Sequence, residues 1–286
     1  MKEIKVFVPA HITCFFEPCI YDSYIESGSR GAGINLSKGA YTTIRVEEKP
    51  DQIIETYLNG RRIDSPLIKD CVKQLIRDEK LHVAVENQLE LPVSQGFGMS
   101  AASLLGTSVG IAKLLDLDET EATRIAHTVE IKHHTGLGDI TGILAGGVEI
   151  RIKPGIPGET RNIPFNGEII VCTLPGKLET KKVLTNPVKM SLIKEYGGIY
   201  LKELLLEPSI EKLFDLSWRF TLETKLATPR IQEIVVEASK HGLASMCMLG
   251  NSIYAIGDID RLEEKLGFFG ETIRCNVDWN GIRFYQ

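Results

Sequence analysis

The twelve residues Pro92 to Ser103, PVSQGFGMSAAS, constrain this chain more than any other stretch. Gly96 and Gly98 leave the main chain bare, and the run that follows has the composition of a helix start. A helix N-terminus carries unpaired N–H groups and the positive end of the helix dipole. Glycines beside it let a ligand come close to the backbone. Together they favour an anion, most often a phosphate. A fold for this chain must therefore bring a strand up to Pro92 and leave a helix N-terminus open after Gly98.

Two familiar phosphate loops do not fit. A Walker A loop needs G-x-x-x-x-G-K-[ST], and no stretch supplies the lysine. Gly96, Gly98 and Ala101 spell G-x-G-x-x-A, with Asp116 downstream. In the dinucleotide fold, however, the acidic residue ends a second strand, whereas residues 101 to 134 read as two consecutive helices. A glycine turn that merely joins strand to helix remains the bland alternative.

The rest of the chain limits the partner. With 286 residues it can form one large domain or two modest ones without a disulfide or metal. Its net charge of −5, with no lysine-arginine block, argues against a nucleic-acid or membrane-surface binder. An anion must then be met by local groups, and the partner is a small molecule. The N-terminal MKEIKVFVPA alternates like a strand and lacks the apolar core of a signal peptide. No apolar run approaches the roughly 18 residues of a membrane helix. Six cysteines are scattered without a C-x-x-C pair, which points to a reducing cytoplasm.

Periodicity places the elements. Residues 40 to 63 read as a meander of TTIRVEE and QIIETYL, with a hairpin turn at Asn59-Gly60. Pro66 opens an amphipathic helix, LIKDCVKQLIRDE, and LHVAVENQLELP returns to strand. A helix over Ala101 to Leu115 puts Ser100 at or near its N-cap. Asp118-Glu119-Thr120-Glu121, an acidic capping box, starts a second helix that ends at His133-His134, both suited to a helix C-terminus. GGVEIRIK is a strand, and Gly155, Pro157, Gly158 and Pro164 mark a boundary that divides the chain into 1–160 and 161–286. Beyond it come the strand EIIVCTLP and a helical stretch from 187 to 240 broken near Gly197-Gly198, Pro208 and Pro229. The strands LASMCML and SIYAIG, the helix IDRLEEKLG and a terminal hairpin around Asn280-Gly281 complete it. This order predicts an α+β fold, helices layered on antiparallel sheet.

The second helix carries the chemistry. His127, Glu130 and His134 fall at i, i+3 and i+7, on one face, and Asp139 follows in TGLGDITG. Neither H-E-x-x-H nor H-x-x-E-H is present, since position 131 is Ile. A lone carboxylate suits Mg²⁺, which keeps several waters and takes one or two protein oxygens plus phosphates.

PVSQGFGMSAAS, followed by Glu130 some thirty residues later and then Asp139, resembles the motifs of the GHMP kinases. That superfamily includes galactokinase, homoserine kinase, mevalonate kinase and phosphomevalonate kinase. More narrowly, GSRGAG (28–33), AHTVEIKHHTGLGD (126–139) and GGVEIRIKPGIPG (146–158) resemble the archaeal-type pantoate kinases, which serve coenzyme A synthesis. The likeness covers most of the chain and is specific over 28–158. It implies the GHMP kinase two-domain fold: a ribosomal-protein-S5-like N-terminal domain with a left-handed β-α-β crossover, and a ferredoxin-like C-terminal domain.

The resemblance also implies ATP-dependent phosphorylation of the pantoate hydroxyl to 4-phosphopantoate, with Mg²⁺. ATP would lie along Pro92, Gln95, Gly96, Phe97, Gly98, Met99, Ser100, Ala101 and Ala102. Ser100 and Glu130 would hold Mg²⁺, and Asp139 would orient or deprotonate the hydroxyl. Ser29, Arg30, His127 and Arg151 are the substrate-side candidates, the two arginines as carboxylate partners. The third, glycine-rich motif of the superfamily survives only as MLGNSIYAIG, with a single Gly250 before Asn251. Other acceptors, homoserine or shikimate, are the alternative. A retired kinase that binds a metabolite is another, and the joint presence of Ser100, Glu130 and Asp139 argues against it. An exposed edge in either sheet would support a homodimer.

Overall fold

The computed structural model describes residues 1–176, 183 and 186–285. The chain opens with a long hairpin, β1 (Lys2–Cys19) and β2 (Gly28–Glu48), paired antiparallel over almost its whole length. Residues 6 to 16 of β1 are buried on both faces except at Thr13, which explains a run too apolar for simple alternation. Its register slips between Pro9 and Ala10 and again between Thr13 and Phe15. Such bulges accommodate a proline, which has no N–H for the ladder, and re-aim neighbouring side chains.

β3 (Ile53–Leu58) and β4 (Arg61–Ile63) form the hairpin expected at Asn59-Gly60, both turn residues having positive φ. The meander itself is not found. β5 (Leu81–Leu89) lies between β2 and β3, antiparallel to the first and parallel to the second. Parallel strands need a crossover, and α1 (Pro66–Ile76) supplies it, capped by Ser65. Periodicity identified the strands but carries no information about which of them pair.

α2 (Met99–Leu115) covers this sheet, α3 (Glu119–Lys132, capped by Asp118) packs on α2 and α1, and the short α4 (Asp139–Ala145) follows. β6 (Val148–Lys153) pairs with the first half of β2, and β7 (Glu159–Ile163) pairs with β6. The division expected at residue 160 therefore falls inside β7, and the chain changes sheets between Ile163 and Glu168.

The second sheet is built from β8 (Glu168–Thr173), β9 (Gly242–Met246), β10 (Ser252–Gly257) and β11 (Glu271–Asn276), in the order β11-β8-β10-β9. All its pairs are antiparallel. Helices α5 (Pro187–Leu206), α6 (Ile210–Glu223) and α7 (Pro229–Ala238) lie between β8 and β9, and α8 (Ile259–Leu266) between β10 and β11. This is the ferredoxin-like arrangement. The terminal hairpin is absent, because β11 pairs with β8 whereas β12 (Arg283–Tyr285) returns to β1 in the first sheet. Asp278 Oδ1 shapes the crossing by accepting from the N–H groups of Asn280 and Gly281. No described helix is long and apolar enough to cross a membrane.

α5 runs unbroken through Gly197-Gly198, contrary to the sequence expectation. A Cβ at Gly197 would collide with the backbone carbonyl of Phe16 in β1, so the glycine serves close approach of helix to strand. Phe15, Phe16, Tyr200 and Phe220 cluster beside this contact and join the helices to β1. At Gly198 a Cβ meets nothing nearer than 3.4 Å. Gly197→Ala should therefore destabilise the fold by about 1–3 kcal/mol through overpacking. Gly198→Ala should stabilise it by up to about 1 kcal/mol through helix propensity. Urea unfolding that moves both variants in the same direction would refute this packing account.

Candidate active site

The N-cap of α2 is Gly98, not Ser100. Gly98 is left-handed (φ 60°, ψ 21°), and its carbonyl accepts from Ala102 N. Ser100 sits in the first turn, exposed, and no side chain caps the helix. The first-turn N–H groups therefore face a cleft of about 340 Å³. Pro92, Gly96, Phe97, Gly98, Met99, Ser100 and Ala101, seven of the nine loop residues singled out in the sequence, line it.

Gln95 and Ala102 stand behind that wall. Ala102 is buried in the helix packing. The Gln95 amide bridges to the second sheet: Nε2 donates to Gly176 O (2.9 Å), and Oε1 accepts from Ser252 Oγ (3.0 Å) and Asn251 N (3.2 Å). Gly250 presses on the Gln95 carbonyl so closely that a Cβ would collide with it. The reduced third motif thus buttresses the anion loop with its backbone, and Met248 and Leu249 beside it complete the cleft wall.

Across the cleft, Asp139 opens α4. Its Oδ1 accepts from His11 Nδ1 (2.9 Å) and Thr13 Oγ1 (3.2 Å). Burial pushes the Asp139 carboxyl up, but the hydrogen bond and charge of His11 outweigh it and hold the group below its ordinary value. His11 is itself fully buried, and Nε2 meets Glu149 Oε1 at 3.0 Å. Burial disfavours its charged form, yet the two carboxylates outweigh burial and raise its pKa. Glu149 in turn pairs with Arg151 Nη1.

Glu130 on α3 is 1% exposed, and neither carboxylate oxygen has a partner among the described residues. Burial, then the nearby charge of Asp139, push its carboxyl well above the usual range. A Cβ at Gly136 would lie 2.9 Å from Asp139 Oδ2 and collide with Glu130 Oε1, so the two carboxylates face each other across that glycine. Among the described residues no cluster of three or more His, Cys, Asp or Glu could hold a metal. Magnesium asks for one or two protein oxygens, fewer than such a cluster supplies.

The substrate-side candidates separate. Ser29 lines the cleft. Arg151 is fully buried, with Nη1 committed to Glu149 and with Nε and Nη2 unpartnered. A Cβ at Gly138 would strike Ser29 Oγ and lie 3.4 Å from Arg151 Nε, so these two residues meet beneath that glycine. Arg30 is not there: it pairs with Glu17 across the β1–β2 ladder, Nε to Oε2 at 3.0 Å. Neighbours on a strand point to opposite faces, so Ser29 in the cleft sends Arg30 away from it. His127 is also absent from the cleft wall. It is buried, its Nε2 donates to Ser27 O (2.9 Å), and burial lowers its pKa, leaving a neutral ring that pins the loop before Ser29. α3 ends at Lys132, so His134 leaves the helical face, and His133 binds Asp70 of α1 (2.9 Å) instead of capping carbonyls.

His11, Thr13 and Glu149 went unnoticed in the sequence. The available signals were a polar ring inside VPAHITCFF and the i, i+2 pair Glu149 and Arg151 on one strand, and neither names a partner.

A family profile described as GHMP kinases N terminal domain matches residues 66–147. The chain is 36% identical to the pantoate kinase of Thermococcus kodakarensis, over 88% of this chain and 87% of that protein. It is 30% identical to the pantoate kinase of Methanocaldococcus jannaschii, over 95% and 99%. A solved structure described as a phosphotransferase related to the CoA biosynthesis pathway superposes with a TM-score of 0.91 at 31% identity, covering 99% of both chains. Homoserine kinase from Cytophaga hutchinsonii shares the fold, with a TM-score of 0.71 at 16% identity over 100% and 98%. The likeness extends through both sheets and the cleft between them, and the chain belongs to the pantoate kinase family of the GHMP kinases.

Proposed function

We propose that this enzyme transfers the terminal phosphoryl group of ATP to the hydroxyl of pantoate, giving 4-phosphopantoate for coenzyme A synthesis. The observation that carries this reading is an uncapped helix N-terminus and an anchored carboxylate on one cleft, with the buried, unpartnered guanidinium edge of Arg151 behind its wall at Gly138. Phosphoryl transfer needs positioning and charge neutralisation and no covalent enzyme intermediate. The first-turn N–H groups of α2 cradle the triphosphate. Glu130, a buried carboxylate without a partner, and the exposed Ser100 hydroxyl fit Mg²⁺, which when bound neutralises phosphate charge. Asp139, with Oδ1 tied to His11 and Thr13, turns its other oxygen to the acceptor hydroxyl and takes its proton.

Arg151 Nε and Nη2 form one edge of the guanidinium, a fork that grips a carboxylate through two parallel hydrogen bonds. Ser29 lies beside it. Likeness to the pantoate kinases named above supports pantoate as the acceptor here over homoserine or shikimate, and an uncompensated buried carboxylate has no use in a retired site. Six free cysteines, five of them buried, suit the cytoplasm, where we place the reaction. The test is ADP release from Mg-ATP with pantoate, homoserine, shikimate and mevalonate. Turnover confined to pantoate is expected, and equal or absent turnover across the four rejects the reading.

Glu130→Gln should depress turnover and raise the Mg²⁺ requirement, yet stabilise the ligand-free protein. The sign follows from the raised folded-state pKa. The folded protein keeps a proton that the unfolded chain releases near pH 4.3, so stability falls as pH rises from there, and the amide removes that loss. A lower melting temperature for the variant at neutral pH would contradict this. Asp139→Asn should leave ATP and Mg²⁺ binding nearly intact while turnover drops roughly 10²- to 10⁴-fold. Arg151→Lys keeps a cation for Glu149 but has no fork, so the KM for pantoate should rise about tenfold with that for ATP unmoved. Equal movement of both constants would return Arg151 to a purely structural role.

A further inference from the structure

A chain of buried contacts connects the two ends of the proposed acceptor site. It runs from Asp139 Oδ1 to His11 Nδ1 (2.9 Å), from His11 Nε2 to Glu149 Oε1 (3.0 Å), and on to Arg151 Nη1. His11, Glu149 and Arg151 are each 0% exposed, so water neither screens nor replaces the bonds among these three, while Asp139 ends the chain in the cleft wall. The imidazole occupies a slot kept clear of side chains. A Cβ at Gly33 on β2 or at Gly142 on α4 would collide with His11 Nε2. Both ring nitrogens face carboxylate oxygens, an arrangement that favours an imidazolium with two N–H donors, and Arg151 Nη1 lies 3.3 Å from Nε2 beside Glu149. The imidazolium charge and that of Arg151 then balance Asp139 and Glu149.

Glu149 lines no part of the cleft. What it does is occupy Arg151 Nη1, which leaves the buried Nε and Nη2 edge as the unpartnered one. We propose that Glu149 is a positioning residue that locks the carboxylate-gripping guanidinium to His11, and through His11 to the base Asp139. The acceptor's carboxylate and its attacking hydroxyl are thereby held at a fixed separation by one buried network. This rests on the reading that Arg151 takes the carboxylate and Asp139 the hydroxyl proton. It makes the enzyme selective for hydroxy acids by the spacing between those two groups, since a shorter acid that fills the fork cannot reach Asp139.

The test is steady-state kinetics of the wild type and of Glu149→Gln with Mg-ATP and pantoate, with ATP affinity measured by calorimetry. The amide keeps the shape and loses the charge. The KM for pantoate should rise and kcat should fall, each roughly tenfold to hundredfold, as when an outer-shell partner of a functional ligand is lost. ATP affinity should stay within about twofold, since His11 meets the anion loop through its main chain, donating from N to Phe97 O (3.0 Å), and the substitution at Glu149 leaves that contact in place. Gly142→Ala, which crowds the imidazole without removing a charge, should give the same signature. If Glu149→Gln does not fold, His11→Asn replaces it: its amide N–H still reaches Asp139 but the link to Glu149 is cut, so the KM for pantoate must rise. A wild type that phosphorylates pantoate alongside variants with unchanged pantoate constants overturns the proposal alone. Equal losses for ATP and pantoate also overturn it, by assigning Glu149 to the fold. A wild type that does not phosphorylate pantoate overturns the reading beneath it.

Discussion

Beneath the cleft, three charged side chains lie where water does not reach, a fourth stands in the cleft wall, and they must balance one another. Asp139, His11, Glu149 and Arg151 come from α4, β1 and β6, so their mutual satisfaction fixes how those three elements meet. At an effective dielectric of about 20, two unit charges 4 Å apart interact by about 4 kcal/mol. Removing one partner of a buried pair costs about 3–5 kcal/mol, because the other charge is left uncompensated. Such a cluster stabilises the fold less than well-packed apolar residues would. What it secures is a single arrangement of Asp139 and Arg151. Glu130 stands outside this balance, and its unpartnered carboxylate is the place where stability is given up for a ligand.

The second sheet contributes support more than chemistry. Its β9–β10 loop touches the cleft only through Met248 and Leu249, while Asn251, Ser252 and Gly250 fasten it to Gln95 of the anion loop. A full glycine-rich motif is not needed for that task. One glycine suffices, at the point where two backbones touch, and the polar residues after it hold the Gln95 amide. β12 then crosses back to β1, so the strand bearing His11 and Thr13 is clamped between the hairpin and the chain's own end. The long helical insertion packs on the same strand through Gly197.

How much of this was legible in the sequence depended on whether the signal was local. The glycine loop, the helix after it, Glu130 and Asp139 all lie within short stretches whose spacing encodes their geometry. Ser100 was read as the N-cap although the cap lies two residues before it, because capping preference favours serine over glycine and says nothing of a left-handed N-cap. The false meander and the false terminal hairpin share a cause: strand patterns reveal elements, while pairing partners such as β5 with β2 or β12 with β1 are set by contacts far apart in the chain. Gly197-Gly198 read as a break because propensity was the only visible cue, and the strand pressing on that face was not.

The motif GSRGAG shows how a short pattern can encode distant partners once the register is known. In β2, Gly33 pairs with Glu149 of β6 on one side and with Thr13 of β1 on the other. Residues opposite one another in antiparallel strands share a face, so Glu149 must cross the middle strand to reach His11. Any side chain on Gly33 would lie in that path: a Cβ there would be 2.6 Å from Glu149 Oε1 and would collide with His11 Nε2. The middle strand thus supplies an opening through which groups on its two neighbours bond. Four residues earlier on the same face, Ser29 reaches the cleft, while the intervening Arg30 points to Glu17. Alternation along six residues therefore assigns one serine to the site, one glycine to the opening and one arginine to the surface. Charge alone would have given the site to Arg30.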